Sequence, residues 1–175
     1  MLFRLDVLEL GDAEAWEKVR QVSVQAFGLR LWLPELLFVT SGRRTVVPSC
    51  HVVAHAFARV FGYEVKDGEH CYSGNVQLTP DQADMDVHFT TVLHSWVEFE
   101  TARGNRFILD IFPDEGGSIF PVLYRAPHPC YWMPRDQERV QILADLPANK
   151  FFQKDVATLS RSMMAMAHKA NLLSG

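Results

Sequence analysis

A hairpin near the middle of the chain restricts the possible folds more than any other segment. Two strand-like segments, His88–Glu100 and Arg106–Pro113, flank the short connection Ala102-Arg103-Gly104-Asn105. Both segments are rich in aromatic and β-branched residues, which favour strands, and a connection this short joins neighbouring antiparallel strands. We therefore expect an antiparallel sheet in which these two strands are hydrogen-bonded partners.

Helical patterns lie on both sides of these strands. Apolar residues recur at helical spacing in Glu14–Phe27, Ser49–Phe61 and Gln153–Leu172, and a short helix is predicted over Pro34–Val39. The second of the long segments stops at Gly62, and glycine is the residue that most readily ends a helix in the left-handed conformation.

The remaining segments are predicted from turn residues and from proline. Tyr63–Val65 and Tyr72–Leu78 are predicted strands, and Lys66-Asp67-Gly68 is the predicted turn between them. Asp114–Asp145 contains several prolines and is the part of the sequence that is hardest to interpret, so we assign no helix or strand to it. Helices followed by antiparallel strands and a final helix predict one α+β domain over residues 1–175, with the N-terminal helices packed on the sheet.

Composition excludes several classes of protein. The 175 residues carry a net charge of −4, and the basic residues are scattered, so a nucleic-acid partner is not expected. No segment approaches the roughly 20 apolar residues that cross a bilayer, and the charged N-terminal residues do not resemble a secretory signal. We therefore expect a cytoplasmic protein without a membrane partner. Three cysteines are too few and too dispersed for a disulfide framework, so their reactivity is the relevant question.

Cys50 lies where a helix favours an ionised thiol. Pro48 and Ser49 precede it, and both residue types are common at helix starts. The open N–H groups and the aligned peptide dipoles of a first turn favour negative charge, and the thiolate is the reactive form of cysteine. The spacing of the apolar residues also turns Cys50 towards the domain interior. The N–H groups of Cys50 and His51 are candidate donors to an oxyanion.

A histidine and an aspartate on the predicted hairpin complete a candidate triad. Strand alternation puts His94, Trp96 and Glu98 on one face of the first strand. Asp110 is an acid within the apolar second strand, where a buried carboxylate needs a partner. A histidine on the neighbouring strand would supply that partner and would itself be held in one tautomer.

These residues, in this order, carry a resemblance to a known family. The pattern comprises a cysteine at a helix start, H-x-W-x-E on a strand, and an aspartate before a proline on the next strand: Cys50; His94, Trp96 and Glu98; Asp110 and Pro113. It resembles the transglutaminase-like superfamily of papain-like cysteine enzymes over roughly Val46–Pro113.

The resemblance implies a fold and a reaction. It implies a papain-like core in which Cys50 forms a thioester with a peptide or amide substrate, without a cofactor. His94 would act as base and then as acid, Asp110 would orient His94, and Trp96 would line the substrate site. Members of the family also carry a side-chain oxyanion donor upstream of the cysteine, and Gln25 and Trp32 are the candidates by position. Hydrolysis and acyl transfer both stay open.

The sequence leaves two other functions open. The same fold without activity would serve as a protein-interaction module. A metal-dependent hydrolase would use His51 and His55, which are four residues apart on one helical face, although their shared face with Arg59 predicts that they face solvent. Asp84, Asp86 and His88 also alternate in a pattern that suits a metal, and we interpret them as a solvated loop entering a strand.

Overall fold

A computed structural model describes residues 17–18, 20–26, 49–73, 76–81, 92–111 and 121–172, and it confirms the predicted α+β class. The helices are α1 (helical residues 17–18 and 20–26), α2 (Cys50–Phe61), α3 (Gln137–Asp145) and α4 (Lys150–Lys169). A 3₁₀ turn, Leu146–Ala148, joins α3 to α4. The strands are β1 (Glu64–Ser73), β2 (Val76–Leu78), β3 (Val92–Glu100), β4 (Arg106–Asp110) and β5 (Val122–Arg125).

The strands form one antiparallel sheet in the order β2-β1-β3-β4-β5. The predicted hairpin is confirmed, with Val97 opposite Leu109 in the β3–β4 register. Its connection is closed by a hydrogen bond of 2.9 Å from Thr101 N–H to the Asn105 carbonyl, and Gly104 takes a positive φ of 79°. That backbone angle suits glycine, which has no Cβ to clash with the chain.

Helix α2 is the central helix of the domain and packs between the sheet and α4. The Ser49 side chain accepts a hydrogen bond from Val52 N–H at its start, and Gly62 ends it in the left-handed conformation, as the sequence predicts. The main core joins apolar residues of α2, of α4 and of one sheet face: Val53, Phe57, Val97, Phe107, Leu109, Val156 and Met163. A second cluster covers the opposite sheet face: Trp96, Ile108, Cys130 and Tyr131.

The predicted turn at Lys66-Asp67-Gly68 is wrong, because β1 continues through it. Gly68 lies opposite His94 in the β1–β3 register. A Cβ atom on Gly68 would overlap the indole ring of Trp96 and the carbonyl oxygen of Trp132. Glycine is therefore required here by the close approach of other groups, and the strand does not end at it. The predicted strand Tyr72–Leu78 is in fact the end of β1 paired with β2.

The segment for which the sequence predicts no element contains regular structure. Strand β5 and helix α3 both lie within Asp114–Asp145. The last helix begins at Lys150 rather than Gln153, because the Asn149 side chain accepts from the first N–H groups and caps it. None of the helices in the described part of the chain is long and apolar enough to span a membrane. The predicted helix Pro34–Val39 and the residues Trp32, Asp84, Asp86, His88 and Pro113 lie outside the described residues.

Candidate active site

The sheet register brings His94 and Asp110 together, as the sequence predicts. Both side chains lie on the sheet face that also carries Trp96 and Ile108, and they occupy diagonal positions on the paired strands β3 and β4. His94 Nε2 lies 2.8 Å from Asp110 Oδ2, and both side chains are fully buried. The Tyr131 hydroxyl donates a second hydrogen bond, of 3.0 Å, to the same carboxylate oxygen. Asp110 is thus fixed by two donors from two different segments.

The electrostatics favour the charged form of both groups. Burial opposes ionisation of His94, but the charge and hydrogen bond of Asp110, with a smaller contribution from Cys50, outweigh it and raise the pKa of His94 to about 10. Burial likewise opposes ionisation of Asp110, while His94, His70 and the Tyr131 hydroxyl together hold its pKa below the usual range. The pair is therefore an imidazolium and a carboxylate at neutral pH.

Cys50 lies beside this pair, in the first turn of α2. Its Sγ atom is 3.9 Å from the carbonyl oxygen of Leu93, the residue that precedes His94, and the residue is half-buried. Cys50 is also close enough to the His94 ring to contribute to the raised pKa of His94. Because Nε2 of His94 is bonded to Asp110, the other ring nitrogen is the one left for the thiol. That atom, Nδ1, is buried and has no hydrogen-bond partner among the described residues.

His70 is a neighbour of His94 that the sequence reasoning missed. It lies on β1, diagonal to His94, and the two rings stack with centroids 4.1 Å apart and planes 12° apart. His70 is fully buried. Period-two alternation from Gly68 would have placed it on the same face as His94, but the predicted turn at Gly68 interrupted that alternation.

His70, His94 and Asp110 form the one group of three potential metal ligands found among the described residues, with ligand atoms within 4.8 Å of one another. Ligand lone pairs of an imidazole lie in the ring plane. In nearly parallel stacked rings these lone pairs do not converge on one point, as tetrahedral zinc ligands must. Nε2 of His94 is also already bonded to Asp110. The arrangement therefore fits a hydrogen-bonded histidine–aspartate pair better than a metal ion bound by all three residues.

Trp96 shares the face of His94 but is almost fully covered, with 4% of its surface exposed. Its indole N–H donates to Glu98 Oε1 at 3.2 Å, and its ring packs edge-on against Tyr131 with the centroids 5.2 Å apart. Glu98 in turn forms an ion pair with Arg106. These contacts make Trp96 a core residue of the second cluster, and its role in lining a substrate site stays a prediction.

Gln25 is not the side-chain oxyanion donor suggested by its position. Its amide nitrogen donates to the Leu172 carbonyl at 3.3 Å, and its oxygen accepts from the Tyr63 hydroxyl at 2.7 Å. Tyr63 follows the C-terminal end of α2, and twelve residues of helix place that end roughly 18 Å from Cys50. The first-turn N–H groups at Cys50 and His51 remain the predicted oxyanion donors.

The prediction that His51 and His55 face solvent is wrong. Each side chain is only 16% exposed. His51 Nδ1 lies 2.5 Å from Ser95 Oγ, and His55 Nε2 lies 3.0 Å from Asp67 Oδ1. Helix α2 is covered on this side by β1 and β3, and an aspartate on β1 offsets the burial of both imidazoles.

Comparisons with protein-family models, with curated proteins and with solved structures give no match. The geometry of the site is therefore the guide to its chemistry. That geometry comprises a thiol at a helix start and, beside it, a buried imidazolium. The imidazolium is hydrogen-bonded to a buried carboxylate, which also accepts a hydrogen bond from the Tyr131 hydroxyl.

Proposed function

We propose that the protein is a cysteine-dependent hydrolase or acyltransferase that acts on a peptide or amide bond through a thioester at Cys50. One observation carries the proposal. The imidazole of His94 is fixed through Nε2 to Asp110, and its Nδ1 is left for the neighbouring Cys50. A nucleophile, a base and a group that orients the base are the three parts of this class of catalysis.

The reaction would proceed in two steps. The Cys50 thiolate attacks the substrate carbonyl carbon, the Sγ–C bond forms, and the imidazolium of His94 gives a proton to the departing amine as the C–N bond breaks. In the second step water, or an acceptor amine, loses a proton to His94 and attacks the thioester carbonyl. The C–S bond then breaks, and the Cys50 thiolate and the His94 imidazolium are restored.

The fold assignment belongs to the same proposal. A central helix with a cysteine in its first turn, packed on an antiparallel sheet with histidine and aspartate on neighbouring strands, supports a papain-like, transglutaminase-like core. Asp110 holds a constant orientation of His94 through both steps because Tyr131 also bonds it. The proposed partner is a peptide or protein substrate, and no cofactor is needed for either step.

An activated ester tests the thioester directly. We would mix the protein with 4-nitrophenyl acetate, follow nitrophenolate release, and locate the acetyl group by mass spectrometry after acid quenching. The proposal predicts a burst and an acetyl thioester on Cys50, both lost in Cys50→Ser and retained in the control Cys130→Ala. Adding an amine and measuring acetate against acetamide separates hydrolysis from acyl transfer. A burst that persists in Cys50→Ser would refute the proposal.

A further inference from the structure

Two contacts between α2 and β3 lie side by side, one residue apart on each element. Cys50 interacts with His94, and the next residue along the helix, His51, bonds the next residue along the strand, Ser95. Successive strand residues point to opposite faces, so the side chains of His94 and Ser95 lie on different faces of the sheet. The His51–Ser95 contact therefore ties the helix turn that carries Cys50 to the strand that carries His94.

The hydrogen-bond directions in this second contact can be assigned. Asp67 lies directly opposite Ser95 in the β1–β3 register, and the Ser95 hydroxyl donates to its carboxylate. The hydroxyl has a single proton, so Ser95 Oγ must accept the hydrogen bond from His51 Nδ1–H. His55 donates from Nε2 to the same carboxylate, at 3.0 and 3.1 Å to its two oxygens.

The carboxylate stays ionised through this arrangement. Burial alone would raise the pKa of Asp67, but the nearby imidazole of His51, 3.9 Å away, and the hydrogen bonds from His55 and Ser95 outweigh it and hold that pKa well below its usual range. The direction of the Ser95 bond also argues against a second nucleophile, because an activated serine donates its proton to a histidine whereas Ser95 donates to the aspartate.

We propose that His51, Ser95, Asp67 and His55 form a positioning network that fixes the first turn of α2 against β3 and thereby sets the separation of Cys50 from His94. The inference rests on the proposed function, because that separation matters only if the two groups react together. The four residues act as positioning residues through their side chains, which do not touch the reacting atoms, whereas the predicted oxyanion contact of His51 is made by its backbone N–H. His55 extends the network one turn along α2. Its ring packs edge-on against Phe152 of α4, with ring centroids 5.0 Å apart, so the network also contacts helix α4.

Substitution of Ser95 by alanine removes the link between His51 and Asp67 with the smallest change in volume. We would measure the iodoacetamide alkylation rate of Cys50 at about pH 6 and about pH 9.5, since ordinary thiols are ionised only at the higher value. In Ser95→Ala we expect the alkylation rate of Cys50 to fall about tenfold or more at the lower pH and less than about threefold at the higher pH. The reason is that displacing a reacting group by about 1 Å greatly reduces its rate. Ser160→Ala is the matched control, since Ser160 is also buried and, among the residues that the structure describes, bonds only within its own helix, at the Val156 carbonyl.

A pair of substitutions at His51 separates positioning from general stability. In His51→Asn the side-chain amide keeps a donor close to the position of Nδ1, whereas His51→Leu keeps bulk but no donor. We expect Cys50 in His51→Asn to retain at least about a third of the wild-type alkylation rate at the lower pH. We expect His51→Leu to lower that rate as much as Ser95→Ala does. Equal rates in both variants would overturn the inference even if both are destabilised.

The control for the proposed function is His94→Gln. If wild-type Cys50 reacts no faster than Cys50 in His94→Gln, the proposed function fails and the inference fails with it. If the wild-type rate depends on His94, but Ser95→Ala and His51→Leu both react within about twofold of the wild type, the proposed function stands and the positioning role alone is refuted.

Discussion

Replacement of Asp110 by asparagine isolates the charge of the buried pair. Asparagine has nearly the same shape as aspartate and keeps one oxygen that can accept the hydrogen bond from His94. What it removes is the negative charge that stabilises the imidazolium in a site from which water is excluded. The loss of stability should therefore follow the protonation of His94.

The magnitude follows from the pKa of His94. Its rise from 6.5 to about 10 corresponds to roughly 5 kcal/mol at about 1.4 kcal/mol per pH unit. Cys50 contributes part of this, and the asparagine oxygen keeps part of the hydrogen bond, so we expect a loss of about 3 kcal/mol near pH 6. A raised histidine pKa contributes stability that is complete below pH 6.5 and is lost as the pH rises through 10. The difference between wild type and variant should shrink to about 1 kcal/mol near pH 10.

The assay is urea unfolding, followed by tryptophan fluorescence, at about pH 6 and about pH 10. The contributions of other groups that titrate over this range cancel in the difference between the free energies of unfolding of the two proteins. Asp145→Asn is the matched control, since Asp145 is exposed and accepts only from Gln141 one turn away among the contacts described. It should change the free energy of unfolding by less than about 0.5 kcal/mol. A loss in Asp110→Asn that is equal at both pH values, or as small as the control's, would refute an ionised pair.

Three further substitutions test the scaffold around the pair. Gly68→Ala should destabilise the protein by about 2 kcal/mol or more in the same unfolding assay, because the new methyl group would overlap the indole of Trp96; an unchanged midpoint would contradict the close approach. Tyr131→Phe removes a donor to a buried carboxylate and should lower the free energy of unfolding by about 2 kcal/mol, whereas no change would mean that Asp110 does not need this bond. Ser49→Ala removes the cap of α2 and should lower the thermal midpoint by an amount equivalent to about 1 kcal/mol, and calorimetry with no measurable shift would contradict the capping role.

The parts of the site that depend on local sequence were predictable. His94 and Asp110 lie on two strands joined by a short connection, so the alternation of each strand and the hairpin between them were enough to bring the two side chains together. Cys50 was predictable in the same way, because proline, serine and glycine mark the two ends of α2 within the sequence itself.

The parts that depend on distant contacts were not. Gly68 looks like a turn residue, and the reason for its presence is the indole of Trp96, which reaches it from another strand. Misreading that glycine also hid His70, whose place beside His94 follows from the continuous strand. Tyr131 comes from a segment without periodicity, so nothing in its neighbourhood indicates that its hydroxyl bonds Asp110.

The histidines of α2 show how a polar stripe can mislead. His51 and His55 lie opposite the most apolar face, which ordinarily means solvent. Here α2 lies between two layers, and Asp67 on β1 supplies the acceptor that allows both imidazoles to be covered. The sequence did not indicate that Asp67 pairs with these histidines, because Asp67 was itself assigned to a turn.

The measurement that tests the central claim most directly is the relative alkylation rate of Cys50, Cys71 and Cys130 in the native protein at about pH 6.5, where an unperturbed thiol is mostly protonated. Iodoacetamide labelling with mass spectrometry gives the three rates in one experiment, in the wild type and in His94→Gln. We expect Cys50 to react fastest, and we expect His94→Gln to slow the alkylation of Cys50 at least about tenfold without changing the rates of Cys71 and Cys130. If Cys50 is inert, or reacts equally fast without His94, it is a core residue and not a nucleophile, and the domain is better explained as a binding module.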